Sequence, residues 1–406
     1  MCTSFISNET ARNINFACQP TAVEPTGSTR TWPDPRQCNP SPHVGDVRVN
    51  KVHGGSTARR SLIAVTAAGA LAITAGCGGG GLEPIADSPY ADYTGQLSAS
   101  GASFPDAFYQ VAIEEFARWA PDLVIDYNST GSGTGKQEFS GGLTAFAGTD
   151  SLVGEGDNLD ASDFYYLPTV AAPIAVSFNL PGIDQVQLRQ ETLADIFQGD
   201  ITTWDDPAIA ADNPELDLPD TPITIVHRAD GSGTTGNYTR FLHEAADNWR
   251  LGAGDAIEWP TRAQGGDRNT GVAQLVEHSE GAIGYIDYAD TRHLNLPTAA
   301  IENAEGNFVA PSLEGATAAL AGATVEDDLS YNPLNAAGAD AYPITSPTYL
   351  LVRPDYSHNP EQGKNTHTFL TWLLTEGQDL AAEEHYAALP ESLRELALQQ
   401  LDRVEW

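Results

Sequence analysis

Three short polar stretches, rich in glycine and hydroxyl residues, carry the chemistry of this sequence. Gly101-Ala102-Ser103-Phe104-Pro105, Asn128-Ser129-Thr130-Gly131-Ser132-Gly133 and Arg228-Ala229-Asp230-Gly231-Ser232-Gly233-Thr234 each run into a segment of helical period. Glycine lets backbone N–H groups approach a ligand, and a helix N-terminus adds partial positive charge, so each stretch suits an anion. Arg228 adds a planar fork able to grip two oxygens at once. Ser103 is also placed to cap the helix that follows, with Pro105 at its first position. Nucleotide motifs do not fit. The P-loop pattern needs glycine where Thr130 stands and Ser or Thr where Gln137 stands, and the dinucleotide fingerprint needs a third glycine where Lys136 stands. Together the three turns point to a site for a tetrahedral oxyanion.

Such turns need strands and helices to aim them. Leu123–Tyr127, Ile174–Phe178, Ile223–Val226 and Tyr349–Val352 read as strands, being short β-branched or apolar runs. Between them Phe108, Val111, Ala112, Phe116 and Trp119 share one helical face, as do Tyr238, Phe241, Leu242, Ala245 and Trp249. Phe369, Trp372, Leu373 and Leu380 mark a late helix. Alternation of this kind predicts an α/β fold.

Composition narrows the partners. A chain of 406 residues with 41% hydrophobic content can bury a core, and its formal net charge of −35 repels nucleic acid and anionic lipid. At about 8 Å of screening in physiological salt, distant carboxylates do not bar an anion from a cleft whose donors stand at hydrogen-bond distance. The nine histidines show no His-x-His or His-x-x-x-His spacing, so neither a metal nor a cofactor is expected. His227 could be imagined as a base for Ser232, but strand neighbours point to opposite faces, which sets it apart from Arg228.

The N-terminal part reads as an address. Residues 57–76 combine the basic Arg59-Arg60 pair with an apolar run from Leu62 to Ala75. That run is about fifteen residues, short of the roughly twenty of a membrane span and suited to an export signal. Thr74-Ala75-Gly76-Cys77 resembles a lipoprotein processing site, which makes Cys77 a lipidated N-terminus on a flexible linker, residues 77–96. The Arg pair also resembles a twin-arginine signal. Residues 1–56, with Cys2, Cys18 and Cys38, are an unusual prelude to such a signal. We read them as upstream of a start at Val44, Val47 or Val49, the alternative being a real extension with a disulfide. Removal of residues 1–76 leaves Cys77 as the single cysteine.

The motifs also match a family. Ala102-Ser103-Phe104-Pro105, Tyr127 through Gln137, Gly148-Thr149-Asp150, the Arg228–Thr234 run and Gly281-Ala282-Ile283-Gly284-Tyr285 resemble, in order, the periplasmic phosphate-binding proteins of high-affinity phosphate ABC importers. That resemblance implies a two-lobed periplasmic-binding-protein fold with two hinge strands, residues 97–177 plus 346–406 forming one lobe and 178–345 the other. It implies a non-enzymatic, monomeric receptor for inorganic phosphate that serves permease subunits outside the cytoplasm and touches the membrane only through its lipid. Carried over by position, Ser103, Phe104, Ser132, Asp150, Arg228, Ser232, Gly233 and Thr234 would bind the phosphate, with Asp230 bracing Arg228. Asp150 would accept the proton that phosphate has and sulfate lacks. A phosphatase-like enzyme on the same fold and a receptor for another oxyanion are the alternatives.

Overall fold

The computed structural model describes residues 83–406; the expected extension, export signal and Cys77 lie outside them. The chain first lays down β1 (Thr94–Gly101), α1 (Asp106–Trp119), β2 (Asp122–Ser129), α2 (Ser132–Ser140) and β3 (Phe146–Thr149). Next, β4 (Tyr165–Phe178) leads to β5 (Gln185–Leu188), α3 (Gln190–Phe197), α4 (Pro207–Asp212), β6 (Thr224–Arg228), α5 (Gly233–Ala245), β7 (Gln264–Gly266) and α6 (Arg268–His278). Then come β8 (Ala282–Asp287), α7 (Tyr288–His293), β9 (Thr298–Glu302), β10 (Phe308–Val309) and α8 (Leu313–Ala321). The return consists of β11 (Thr345–Val352), α9 (Pro360–Leu374), a 3₁₀ turn at Glu376–Leu380, β12 (Ala387–Ala388) and α10 (Glu391–Leu401).

The main strand order is β2-β1-β3-β11-β4-β8-β6-β7. Parallel pairs β1/β2 and β1/β3 build one end, and β6/β7 and β6/β8 build the other. Strands β4 and β11 join them. Up to Pro173, β4 pairs antiparallel with β11, and from Ile174 it pairs antiparallel with β8. All of β4 beyond Tyr165 is buried, as a strand covered on both faces requires.

Aromatic packing fixes the helices on the sheet. On α1, Phe108, Ala112 and Phe116 are buried, and the Phe116 ring meets Phe369 at 5.3 Å and Trp372 at 5.1 Å. Burying one such ring stabilises the fold by about 1.5–3 kcal/mol. In the other half, Tyr238 of α5 stacks on Tyr285 of β8 at 4.5 Å. The expected helical faces hold with two trims: α5 ends before Trp249, and Leu380 lies in the 3₁₀ turn after α9. His227 stacks against Trp259 at 5.3 Å and hydrogen-bonds the Arg228 carbonyl, whereas the Arg228 guanidinium meets Asp230 and Thr234.

Open α/β sheets bind ligands beyond the carboxyl ends of their parallel strands. Every candidate binding residue lies there. Ser103 follows β1, Ser132 follows β2 and Asp150 follows β3, while Arg228 ends β6 and the Ser232–Thr234 turn comes next.

Candidate functional site

The two glycine turns meet face to face. Gly133 N–H donates to the Gly231 carbonyl at 3.0 Å, so the backbones themselves are in contact across the cleft. A Cβ on Gly233 would stand 2.7 Å from Ser132 Oγ and 2.8 Å from Asp150 Cβ, which makes a side chain there incompatible with closure. Gly131 holds a left-handed φ of 87°, and a Cβ on it would fall 2.4 Å from Asp230 Oδ2. Glycine is required at both positions, for space at one and for space and conformation at the other.

Hydrogen bonds then set each functional side chain. Ser132, at the start of α2, accepts from the Asp150 N–H at 3.2 Å, and its Oγ stands 3.4 Å from Asp150 Oδ2. Asp150 Oδ1 accepts from Thr348 Oγ1 at 2.8 Å. Buried at 2% exposure, the Asp150 carboxyl is pushed up to about 7 by desolvation, against the Thr348 hydrogen bond and the Arg228 charge, which favour ionisation. Arg228 is buried and forked onto Asp230, Nε to Oδ1 at 2.8 Å and Nη2 to Oδ2. Its backbone N–H donates to Tyr285 Oη, which Thr235 also contacts. Its Nη1 reaches Thr234 Oγ1 at 3.4 Å. Ser232 is the N-cap of α5, accepting from Thr235 N–H, while Ser232 N–H donates to the Asp255 carbonyl.

Ser103 is the one whose local role differs from expectation. The N-cap of α1 is Pro105, without a side-chain capping bond, and α1 begins at Asp106. The Ser103 hydroxyl instead faces the cleft, where Asn269 Nδ2 donates to it at 3.3 Å. Phe104 is fully buried, its carbonyl held by Tyr386 Oη at 2.7 Å, and Tyr127 Oη holds the Ala102 carbonyl at 2.8 Å. These two phenols fix the Ser103–Phe104 turn. Beside it lies a cavity of about 130 Å³ lined by Ser103, Ser129, Arg268 and the carboxylates Asp106, Asp287 and Asp290, among others. Burial first, and then the adjacent Asp290, raise the Asp287 carboxyl.

Thus all eight candidate binding residues and Asp230 come together. Sequence reasoning missed Asn269, Asn237, Thr348 and Asp255. Asn237 bridges the Asp150 carbonyl at 2.7 Å and Ser346 Oγ at 2.9 Å, and Asp255 faces Lys136 at 3.0 Å across the cleft. Their signal was weak: single Asn, Asp or Thr residues in helices, strands and loops carry no motif. Among the described residues no group of three or more His, Cys, Asp and Glu could hold a metal ion, and no helix is long and apolar enough to cross a membrane.

Fold and cleft define a protein of the periplasmic-binding class, and the family model described as PBP superfamily domain matches residues 88–376. Within that class the chain belongs to the PstS family of phosphate-binding proteins. It is 34% identical to the phosphate-binding protein PstS of Methanocaldococcus jannaschii, covering 82% of this chain and 92% of that one. It is also 34% identical to the PstS of Haemophilus influenzae, covering 72% and 89%. The fold is that of a phosphate-binding protein from Stenotrophomonas maltophilia, with a TM-score of 0.58 at 20% identity over 75% of this chain and 94% of the other.

Proposed function

We propose that this chain is a receptor that captures inorganic phosphate outside the cytoplasm and delivers it to the permease of an ABC importer. The observation that carries this reading is the closed cleft in which Ser103, Ser132, Asp150, Arg228 and Thr234, from four strand ends, face one another with their hydrogen-bonding groups buried. Hydroxyls, the backbone N–H groups at the α2 and α5 N-termini, and one guanidinium supply donors for oxyanion oxygens. Asp150 supplies a carboxylate acceptor, and it selects a ligand that carries a proton. The likeness to proteins named phosphate-binding proteins favours capture and release over hydrolysis.

Closure is the transmitted signal. Ligand bound between lobes selects the closed state, and a permease that recognises this shape receives only loaded receptor. We assign the hinge to Ala175–Phe178 and Thr345–Leu350, with lobes 97–177 plus 346–406 and 178–345. β4 changes partners between Pro173 and Ile174, which favours a crossover a few residues before Ala175. A lipid on Cys77 would keep a monomeric receptor at the membrane surface.

Calorimetry on protein stripped of endogenous ligand tests the reading with phosphate, arsenate and sulfate. Phosphate and arsenate should each bind at one site per chain, and sulfate far more weakly. Equal affinity for sulfate and phosphate, or no heat with either, would sink it.

A further inference from the structure

Asn269 sits at the second position of α6, is 1% exposed, and touches both walls of the cleft. Its Nδ2 donates to Ser103 Oγ at 3.3 Å on one side and to Thr234 Oγ1 at 3.4 Å on the other. The turn that presents it is held firmly. Arg268 adopts a left-handed φ of 60°, with its N–H on Asp230 Oδ1 at 3.1 Å, so the carboxylate that braces Arg228 also orients Asn269.

A hydroxyl has one proton to give and two lone pairs to fill. Thr234 Oγ1 receives both Asn269 Nδ2 and Arg228 Nη1, which fills its acceptor sites and leaves its own proton unused. Ser103 Oγ receives Asn269 in the same way. Asn269 Oδ1 is buried without a partner. Turning the carboxamide over would not relieve this; it would strand two buried N–H donors in place of one acceptor and would draw both hydroxyl protons away from the cleft.

We propose that Asn269 is a positioning residue that directs the Ser103 and Thr234 hydroxyl protons into the cleft, so that both serve as donors to an oxyanion. Because Ser103 comes from one wall and Asn269 from the other, Ser103 is set only when the cleft closes. Asn269 itself acts through the two hydroxyls and not on the ligand. The inference rests on the phosphate reading above and concerns the same site.

Phosphate titrations of wild type, Ser103→Ala, Thr234→Val, the Ser103→Ala/Thr234→Val double variant, Asn269→Leu and the triple variant test this. Asn269→Leu keeps the side-chain volume and should weaken phosphate about 10- to 100-fold, the usual range for hydrogen bonds to a charged group. Added to Ser103→Ala/Thr234→Val, the same change should cost less than about twofold, because its targets are gone. An equal penalty in both backgrounds would mean a packing role and overturn the inference. Should Asn269→Leu not fold, Asn269→Asp decides. Its carboxylate takes the hydroxyl protons near pH 8 and becomes a donor again when protonated, so binding should recover toward pH 5 relative to wild type. No recovery overturns the inference. If the Asn269 variants bind as wild type while Ser103→Ala and Thr234→Val weaken binding, the inference falls and the phosphate reading stands. If Ser103→Ala and Thr234→Val change nothing, both fall.

Discussion

Asp230 and Asp150, one carboxylate from each wall of the cleft, are held in opposite ways. Asp230 lies under the fork of Arg228 on its own wall and also takes the Arg268 N–H. Asp150, on the facing wall, is met by the hydroxyls of Thr348 and Ser132, and burial lifts its carboxyl to about 7. A carboxylate neutralised by its own arginine positions a donor and is indifferent to the ligand's protons. One that titrates near neutrality in a dry site must exchange a proton with whatever sits against it.

The largest effect should follow from Asp150. A free carboxyl titrating at about 7 is mostly neutral below that pH and ionised above it. Sulfate has no proton to offer, so it binds only the neutral form. Its affinity should be level below pH 7 and fall about tenfold per unit above it. Asp150→Asn should abolish that fall and so reduce the preference for phosphate over sulfate by about 10-fold at pH 8 and about 100-fold at pH 9, the cost of a charge facing a charge in a desolvated site. Competition titrations between pH 5.5 and 9 read both quantities. An Asn variant that kept the full preference would remove Asp150 from the discrimination.

Asp230→Asn is the counterpart and should behave differently in kind. Arg228 keeps its charge but loses the two-point brace, so phosphate and sulfate should weaken together by about 10- to 100-fold, with the preference and its pH profile unchanged. A shift in selectivity with Asp230→Asn would erase the contrast between the two walls.

Much of this contrast was legible in the chain, because glycine turns, strand runs and the Arg228–Thr234 motif are local signals. Ser103, Ser132, Asp150 and Arg228 were found as members of such runs. Asn269 and Thr348 were not, since their value comes from register: β11 brings Thr348 to Asp150 across 198 residues of sequence, and Asn269 reaches Ser103 across 166. Ser103 was read as a helix cap because Ser-x-Pro before a helix suits one; what decided otherwise was a partner on the far wall that no local pattern contains. Likewise Lys136 stands out in the sequence only as the residue where the dinucleotide fingerprint needs a glycine.

That lysine provides the smallest and last test, with two further carboxylates, Asp157 and Asp255. Lys136 is 3% exposed in its side chain and holds Asp157 at 2.9 Å on its own wall and Asp255 at 3.0 Å on the other. Asp255 also accepts from Ser151 Oγ at 2.7 Å, and its carbonyl receives the Ser232 N–H. Here the ion pair crosses the cleft, so its free energy falls on the closed state alone, unlike that of Arg228 and Asp230. Apparent affinity scales with the fraction of receptor able to close, and Lys136→Met should therefore weaken phosphate by about tenfold without altering selectivity. Asp157→Asn, which leaves the crossing pair intact, should cost less. Because the lysine is buried, the difference should persist from about 0.15 to 1 M salt, where exposed pairs are screened. Small-angle scattering on the ligand-free variant should report a larger open fraction than wild type, and identical profiles would show that the pair does not hold the lobes together.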